Sequence, residues 1–501
     1  MPLQVEKGTF TTPGSTGNVT YNLGGNFNAS QPLKALILWG TYATADGDTG
    51  ADIIYTMGFG TYRSSTVSQR YVSMYAQDTS TPTVVSRGKG NNAILKGFTG
   101  LSPTTDFEIR LDSFTSTSFT LNHFDLPATS SLVFHYFALG GSDISDALVG
   151  TFTLNTSAGT QDVTVTSGFG KPDLLFNFDG AVTTVTTNVD ETGRAGIYAG
   201  IGKDDANQCA SYFSLGQGST PNNDEAYQRA DRFIAGVTQG GARHEASLTA
   251  KSSWPTDGFQ ITKNTAPTAN RDVFFLALKG NLQSAMGEAT VPTSVAPQTN
   301  THSVSSQSVA RGIFTFGNTL AASTSFITSD SGNLGTFWMG ASDGTREGYA
   351  GFSERDGATG IVGSRHQSTT KTVKMIIPDT SGETGTLTSE ADAALSLNNA
   401  QLIFNDTDTV ARAYIYLVLG DALASASLST TYVRYRIGKN LSSGNVDMTV
   451  RLMQGSTEIA NWTHTNLAQG FTTYEQVLSQ GQESLITDTT NLRLRFVSTV
   501  T

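Results

Sequence analysis

The sequence predicts an all-β protein: three tandem jelly-roll-like β-sandwich domains followed by a small C-terminal β-module. Three observations predict it. An apolar, aromatic run ending in glycine occurs three times, as Leu132-Val133-Phe134-His135-Tyr136-Phe137-Ala138-Leu139-Gly140-Gly141, Val273-Phe274-Phe275-Leu276-Ala277-Leu278-Lys279-Gly280 and Ala413-Tyr414-Ile415-Tyr416-Leu417-Val418-Leu419-Gly420. The closing leucines, Leu139, Leu278 and Leu419, are 139 and 141 residues apart (278 − 139; 419 − 278). Charged residues make up 15% of the chain, and 52 glycines take up part of the deficit, which favours short strands and turns over helices.

Each run reads as a strand buried on both faces and as the last core strand of its repeat. The period is far longer than a solenoid unit, so each copy is expected to hold its own core. Upstream, the repeats share an order of elements. A Gly-bearing strand opens each copy: Gly8-Thr9-Phe10-Thr11, Gly150-Thr151-Phe152-Thr153 and Gly287-Glu288-Ala289-Thr290. Buried strands follow at Ala35-Leu36-Ile37-Leu38-Trp39-Gly40, Leu174-Leu175-Phe176-Asn177-Phe178-Asp179 and Gly312-Ile313-Phe314-Thr315-Phe316-Gly317. Later strands align Phe119-Thr120-Leu121 and Phe259-Gln260-Ile261 with Gln401-Leu402-Ile403. About eight strands per repeat are expected, with domains at 1–146, 147–284 and 285–424.

After Gly420 the pattern becomes strict alternation, as in Tyr432-Val433-Arg434-Tyr435-Arg436 and Leu492-Arg493-Leu494-Arg495-Phe496, so 425–501 reads as a separate module. Its wet face is expected to carry Arg434, Arg436, Arg451, Arg493 and Arg495, either as a solvated face or as a docking surface for an acidic partner.

A net charge of −11 without a basic cluster argues against nucleic acid. One cysteine, Cys209, excludes an internal disulfide framework, and neither an apolar leader nor a membrane-length stretch is apparent. A soluble chain made in a reducing cytoplasm is the expectation.

Comparing the copies weighs the candidate chemistry. His135 aligns with Phe274 and Ile415, so it reads as a packing position. His123 and Asp125 are two apart, but Lys263 and Thr265 replace them and no nucleophile motif accompanies them. Asp46, Asp48 and Asp52 have the oxygen chemistry calcium needs, without the spacing of a calcium loop. Gly58-Phe59-Gly60 and Gly200-Ile201-Gly202 lack the remainder of a phosphate loop. Cys209 reads as an inert buried thiol. Trp254, before Pro255 in a loop, is the best-placed aromatic for sugar stacking, whereas Trp39, Trp338 and Trp462 read as core. No catalytic, cofactor-binding or metal-ligating residue is assigned, and a non-enzymatic protein is expected.

Gly-x-Phe-Thr, the segment Lys34-Ala35-Leu36-Ile37-Leu38-Trp39-Gly40, Ser118-Phe119-Thr120-Leu121-Asn122 and the Phe137-Ala138-Leu139-Gly140-Gly141 ending resemble the tandem β-sandwich repeats of tailed-bacteriophage virion proteins. The closing Asn491-Leu492-Arg493-Leu494-Arg495-Phe496 is similar to the small β-modules that end phage tail and decoration proteins. The resemblance implies a tail, collar or head-decoration protein, assembled in the host cytoplasm and located in the virion. Other virion proteins and further copies of itself would be its partners, with host surface glycans as a further class. A lectin-like receptor-binding protein is the alternative.

Strand cores are fixed by packing, so differences among repeats are expected in loops, above all 41–52, 181–194 and 318–334. These share no common polar groups, which predicts a division of labour. Changing Asp46, Asp48 and Asp52 to Asn is expected to leave the fold intact.

Overall fold

The computed structural model describes residues 3–24, 27–28, 30–50, 52–77, 84–99, 104–128, 131–182, 186–190, 194–216, 224–238, 241–294, 297–305, 308–319, 327–328, 335–354, 363–377, 385–396, 398–406, 408–422, 432–440, 444–478, 482 and 485–500. It is all-β, 71% strand, with antiparallel sheets forming several sandwich-like bodies. The chain forms two compact units, Met1–Ala422 and Leu423–Thr501. The expected start of the last module, near 425, lies outside the described residues.

Among the described residues each repeat has eleven strands rather than eight. The first contains β1 (Leu3–Thr11), β2 (Gly17–Asn22), β3 (Leu33–Thr41), β4 (Gly47–Gly50), β5 (Ile53–Arg63) and β6 (Thr66–Ala76). It continues with β7 (Val85–Gly90), β8 (Leu95–Thr99), β9 (Thr104–Phe114), β10 (Ser118–Asp125) and β11 (Val133–Gly141). The second contains β12 (Ile144–Leu154), β13 (Gly159–Thr164), β14 (Leu174–Gly180), β15 (Thr186–Asp190), β16 (Arg194–Gly202) and β17 (Gln208–Gly216). It continues with β18 (Asp224–Arg229), β19 (Ile234–Val237), β20 (Arg243–Leu248), β21 (Gly258–Thr265) and β22 (Arg271–Gly280). The third contains β23 (Leu282–Thr290), β24 (Gln298–Ser303), β25 (Ser308–Gly317), β26 (Ile327–Thr328), β27 (Gly335–Ser342) and β28 (Glu347–Glu354). It continues with β29 (Gly363–Ser368), β30 (Val373–Ile377), β31 (Thr386–Leu395), β32 (Asn399–Asp406) and β33 (Ala413–Ala422).

Phe134, Phe274 and Tyr414 lie in β11, β22 and β33, which hold the same place in their sheets. No linker separates the repeats. Only residues 142–143 join β11 to β12, and only Asn281 joins β22 to β23. Both strands therefore cross the positions expected as boundaries, 146/147 and 284/285.

The three smaller sheets are β2-β10-β9-β8, β13-β21-β20-β19 and β24-β32-β31-β30. The larger ones are seven-stranded, and each takes its last strand from a sister repeat: β1-β11-β3-β5-β6-β7-β15, β12-β22-β14-β16-β17-β18-β26 and β23-β33-β25-β27-β28-β29-β4. The second repeat thus completes the first, the third completes the second, and the first completes the third. The cycle closes. The donated strands come from the three loops singled out in the sequence, of which 51, 183–185, 191–193, 320–326 and 329–334 lie outside the described residues. Differing side chains do not prevent this shared role, because strand addition is made by backbone groups.

Each repeat holds its own core, as expected, and all three share a further one. Along β3, Leu36 and Leu38 face the repeat's own smaller sheet, while Ala35, Ile37 and Trp39 enter a core common to all three repeats. At its centre Phe59 stacks on Phe178 of the second repeat, centroids 3.9 Å apart. Phe314 of the third meets Trp39 at 5.7 Å and Phe176 at 6.0 Å. A sandwich alone buries one face of each strand, so the doubly buried runs require this third layer.

The last unit carries β34 (Tyr432–Lys439), β35 (Val446–Gln454), β36 (Thr457–His464), β37 (Gly470–Val477) and β38 (Leu492–Val500), ordered β34-β37 and β36-β35-β38. Tyr435 and Ile437 of one sheet meet Val450 of the other in its core.

Candidate functional site

His135 is fully buried and stacks on Trp39, centroids 5.4 Å apart. Burial, reinforced by Lys7, drives its pKa well below the usual value, so it is neutral. Lys7 is itself buried, with Nζ 2.5 Å from the Glu347 carbonyl and its backbone N–H donating to Asp343 at 3.0 Å. Val149 and Met286 stand at its place in the sister repeats, one residue before Gly150 and Gly287 as Lys7 precedes Gly8.

Burial lowers the Lys7 pKa to about 7; nearby Asp343, Asp46 and Glu347 oppose the shift and Arg346 adds to it. Below pH 7 the full cost of burying the ammonium is present. As pH rises from there towards 10.5, the unfolded chain keeps the proton that the folded chain has lost, so stability increases, by on the order of 5 kcal/mol. Lys89, lowered to about 8, adds a change of the same sign. Urea unfolding at pH 6.5 and 9.5 is expected to show the rise in the native chain and a smaller one in Lys7→Met. A parallel rise in both proteins would exclude Lys7 as its source.

His123 and Asp125 do not form a pair. A register shift separates them in β10. The His123 ring bonds the Tyr21 hydroxyl at 3.0 Å and burial lowers it to about 4, while Asp125 accepts from the Leu126 N–H at 3.0 Å. Cys209 is buried, and burial pushes its thiol well up.

The three acidic residues of loop 41–52 do not converge on one point. Asp46 accepts from both the N–H and the hydroxyl of Thr369, at 2.8 and 2.6 Å. Asp48 meets His366 Nδ1 at 3.1 Å and Lys374 at 3.3 Å, and Asp52 accepts from the Tyr75 hydroxyl at 3.0 Å. Among the described residues no group of three His, Cys, Asp or Glu is placed to hold a metal ion. Two of these carboxylates fasten the first repeat to the third; Asn would keep an acceptor oxygen for Thr369 and give up the charge that Asp48 presents to Lys374.

His366 was missed in the sequence because its partners come from distant segments. Its Nε2 lies 2.9 Å from Ser353 Oγ and 3.0 Å from Ser364 Oγ, completing a Ser–His–Asp chain with Asp48. The connectivity is that of a nucleophilic triad. Ser353, Ser364 and His366 are nevertheless all buried, which keeps a substrate carbonyl from either hydroxyl, so the chain reads as a clasp for β4. Burial holds the pKa of His366 below its usual value against the pull of Asp48.

The glycine pairs have a steric role. A Cβ at Gly58, Gly200 or Gly340 would lie 1.8, 2.0 or 1.8 Å from the carbonyl oxygen of Ile94, Phe233 or Thr372, where the smaller sheet crosses close by.

Trp254 is corrected: it is 3% exposed, and its Nε1 donates to the Thr249 carbonyl at 2.9 Å. Trp39 and Trp338 are core, and Trp462 is half-buried against the last unit's clusters. The single arginine face is corrected as well. Arg434 and Arg436 lie on β34, whereas Arg451, Arg493 and Arg495 lie on β35 and β38 of the other sheet.

An opening with a polar and aromatic lining lies in the third repeat, a shallow cleft of about 520 Å³ between β23 and β24. Tyr416 and His302 stack there, centroids 3.7 Å apart. His302 Nε2 and Asn300 Nδ2 meet the Tyr414 hydroxyl at 2.9 and 2.7 Å. Glu288, its carboxyl raised by burial, accepts from Gln228 at 3.4 Å. The only sequence signal for this place was the departure of Gly287-Glu288-Ala289-Thr290 from Gly-Thr-Phe-Thr.

No family model, curated protein or solved structure matches the chain.

Proposed function

We propose that the protein is a non-enzymatic structural component of a tailed-phage virion, an accessory tail, collar or head-decoration protein that mediates assembly or surface attachment. The observation that carries this reading is the closed exchange of strands β4, β15 and β26 around a common core. One chain thereby does what a small symmetric oligomer does, giving a body with three related faces and covered inter-repeat sheet edges. The repeats read as jelly-roll-like, since the first, last and third strands adjoin in one sheet while the second and tenth pair in the other.

The last unit supplies the attachment chemistry. Phe471 (70% exposed) and Val500 (75% exposed) stand open to solvent on β37 and β38. Such surface suits a particle or further copies of the chain. Other virion proteins are the proposed partners, and the virion, assembled in the host cytoplasm, the proposed location. Co-sedimentation of the purified protein with particles tests this. Association is expected, and Phe471→Ser should weaken it. A monomer at every concentration, with no affinity for particles, would overturn the proposal.

The alternative, a lectin-like receptor-binding protein, is favoured by the cleft of the third repeat.

A further inference from the structure

The sister repeats show why the cleft exists. The first strand places Phe10, Phe152 and Ala289 at one position, two residues after Gly8, Gly150 and Gly287. Those glycines sit opposite Tyr136, Phe275 and Tyr416. In the smaller sheets Tyr21 faces Phe119, Val163 faces Phe259 and His302 faces Ala400, so Phe119, Phe259 and Ala400 are equivalent. The third repeat has therefore exchanged two phenylalanines for alanines at one corner of the sandwich.

In the sister repeats those rings close the corner. Phe119 packs edge-on against Tyr136 at 5.2 Å, and Phe259 against Phe275 at 5.5 Å. Tyr136 and Phe275 are accordingly 4% and 2% exposed, while Tyr416 is half-buried. Loss of core volume alone would destabilise a repeat, and neighbouring groups can collapse only partly into the space. Here His302 occupies the position of Tyr21 and lies flat on Tyr416, which leaves the rest of the corner open to solvent.

The lining defines the chemistry it would take. None of the lining residues is Lys or Arg, and a carboxylate, Glu288, is among them, which disfavours anions. Thr290, Thr299 and Thr301 are exposed and offer hydroxyls that can donate or accept. The Asn300 amide nitrogen is taken by the Tyr414 hydroxyl and the Thr290 carbonyl, both at 2.7 Å, leaving its oxygen as an acceptor. An apolar ligand would strand these groups, whereas a ligand bearing many hydroxyls would satisfy them. The cleft is broad and open to solvent, so a ligand would be held along one face rather than engulfed.

We infer that the cleft bounded by Glu288, Asn300, His302 and Tyr416 binds a neutral saccharide of one or two rings, and that the second and first repeats do not. The inference deepens the lectin-like alternative and is independent of particle association, which co-sedimentation reads separately.

The test uses the full-length protein and a panel of neutral mono- and disaccharides, with binding followed by saturation-transfer NMR. Ala289 lines the cleft, so Ala289→Phe restores the ring that Phe10 and Phe152 supply in the sister repeats, and it should abolish saccharide binding while the fold is kept. Tyr416→Phe and Glu288→Gln change single polar groups and should each weaken binding about tenfold, the effect of ~1.4 kcal/mol; they carry the test if Ala289→Phe does not fold. No binding by the native chain to any member of the panel would overturn the inference. So would a saccharide bound equally by the native protein and by folded Ala289→Phe, or by both single-group variants.

Discussion

Asp179→Asn is expected to destabilise the larger unit by roughly 3–5 kcal/mol, the cost of leaving buried charge uncompensated. Asp179 is 1% exposed and lies where the second repeat meets the first. Lys89 of β7 reaches it at 3.0 Å and Arg271 of β22 at 2.9 Å, and both cations are completely buried. Lys89 also donates to the Asp272 carbonyl at 2.5 Å, and Arg271 to the Gly180 carbonyl. The triad holds two positive groups and one negative, so removing the carboxylate leaves two buried cations with Asp272 as the remaining counter-charge near Lys89. Gln228 and Gln367 stand at the position of Lys89 in the other repeats, one residue into the register from Ala210–Arg229 and Tyr349–Ser368. The same seam can therefore be built without charge. Lys89→Gln, Asp179→Asn and Arg271→Leu together should consequently cost less than Asp179→Asn alone. Urea midpoints of the single and triple variants decide it. A loss below about 1 kcal/mol for Asp179→Asn would show that the cations find other compensation.

Gly200→Ala is expected to cost about as much, roughly 3–5 kcal/mol, or to prevent folding. The added methyl would stand 2.0 Å from the Phe233 carbonyl oxygen. That oxygen is backbone of the facing sheet, and the Asn177 amide holds it in place with a short hydrogen bond. Moving it aside would pull β19 away from β16. Gly14→Ala is the control for the handling of glycine loss, since nothing lies within 4 Å of the position of its Cβ and its backbone is not left-handed. Circular dichroism melts of the two variants should separate them. Equal melting would mean that the sheets yield easily at this crossing.

The two cases show which parts of the structure the sequence could express. Side-chain pattern makes buried strands legible, and β11, β22 and β33 are found from it. The doubly apolar runs even implied a layer on each side, although a sandwich supplies only one. Strand addition left no comparable mark. β26 is two residues long and β4 is Gly-Asp-Thr-Gly, and neither has an apolar alternation to read. The cleft was obscured by register. Aligning Gln401 with Phe119 placed a polar residue on the core face; moving one residue puts Ala400 there and reveals the missing ring, because a slip of one reverses the faces of a strand. Trp254 misled for a different reason. A tryptophan before proline in a turn reads as exposed, yet its indole N–H finds a carbonyl close by and the ring closes the end of a core.

The closed exchange also has a consequence for biosynthesis. Asp48 and its partner His366 are 318 residues apart in the chain. At the usual pace of roughly 5–20 residues per second, β4 emerges from the ribosome about 15–60 s before β29 exists. Throughout that interval the first repeat holds out a strand with no sheet to join, and for roughly the first 5–20 s β7 also waits for β15 with its own edge open. A nascent chain interrupted before the third repeat cannot close the ring, and its unpaired edges can be matched only by another molecule. Ribosomes translating the same message side by side supply such molecules at high local concentration, so stalled synthesis is the step at which this architecture is most exposed to entanglement between chains.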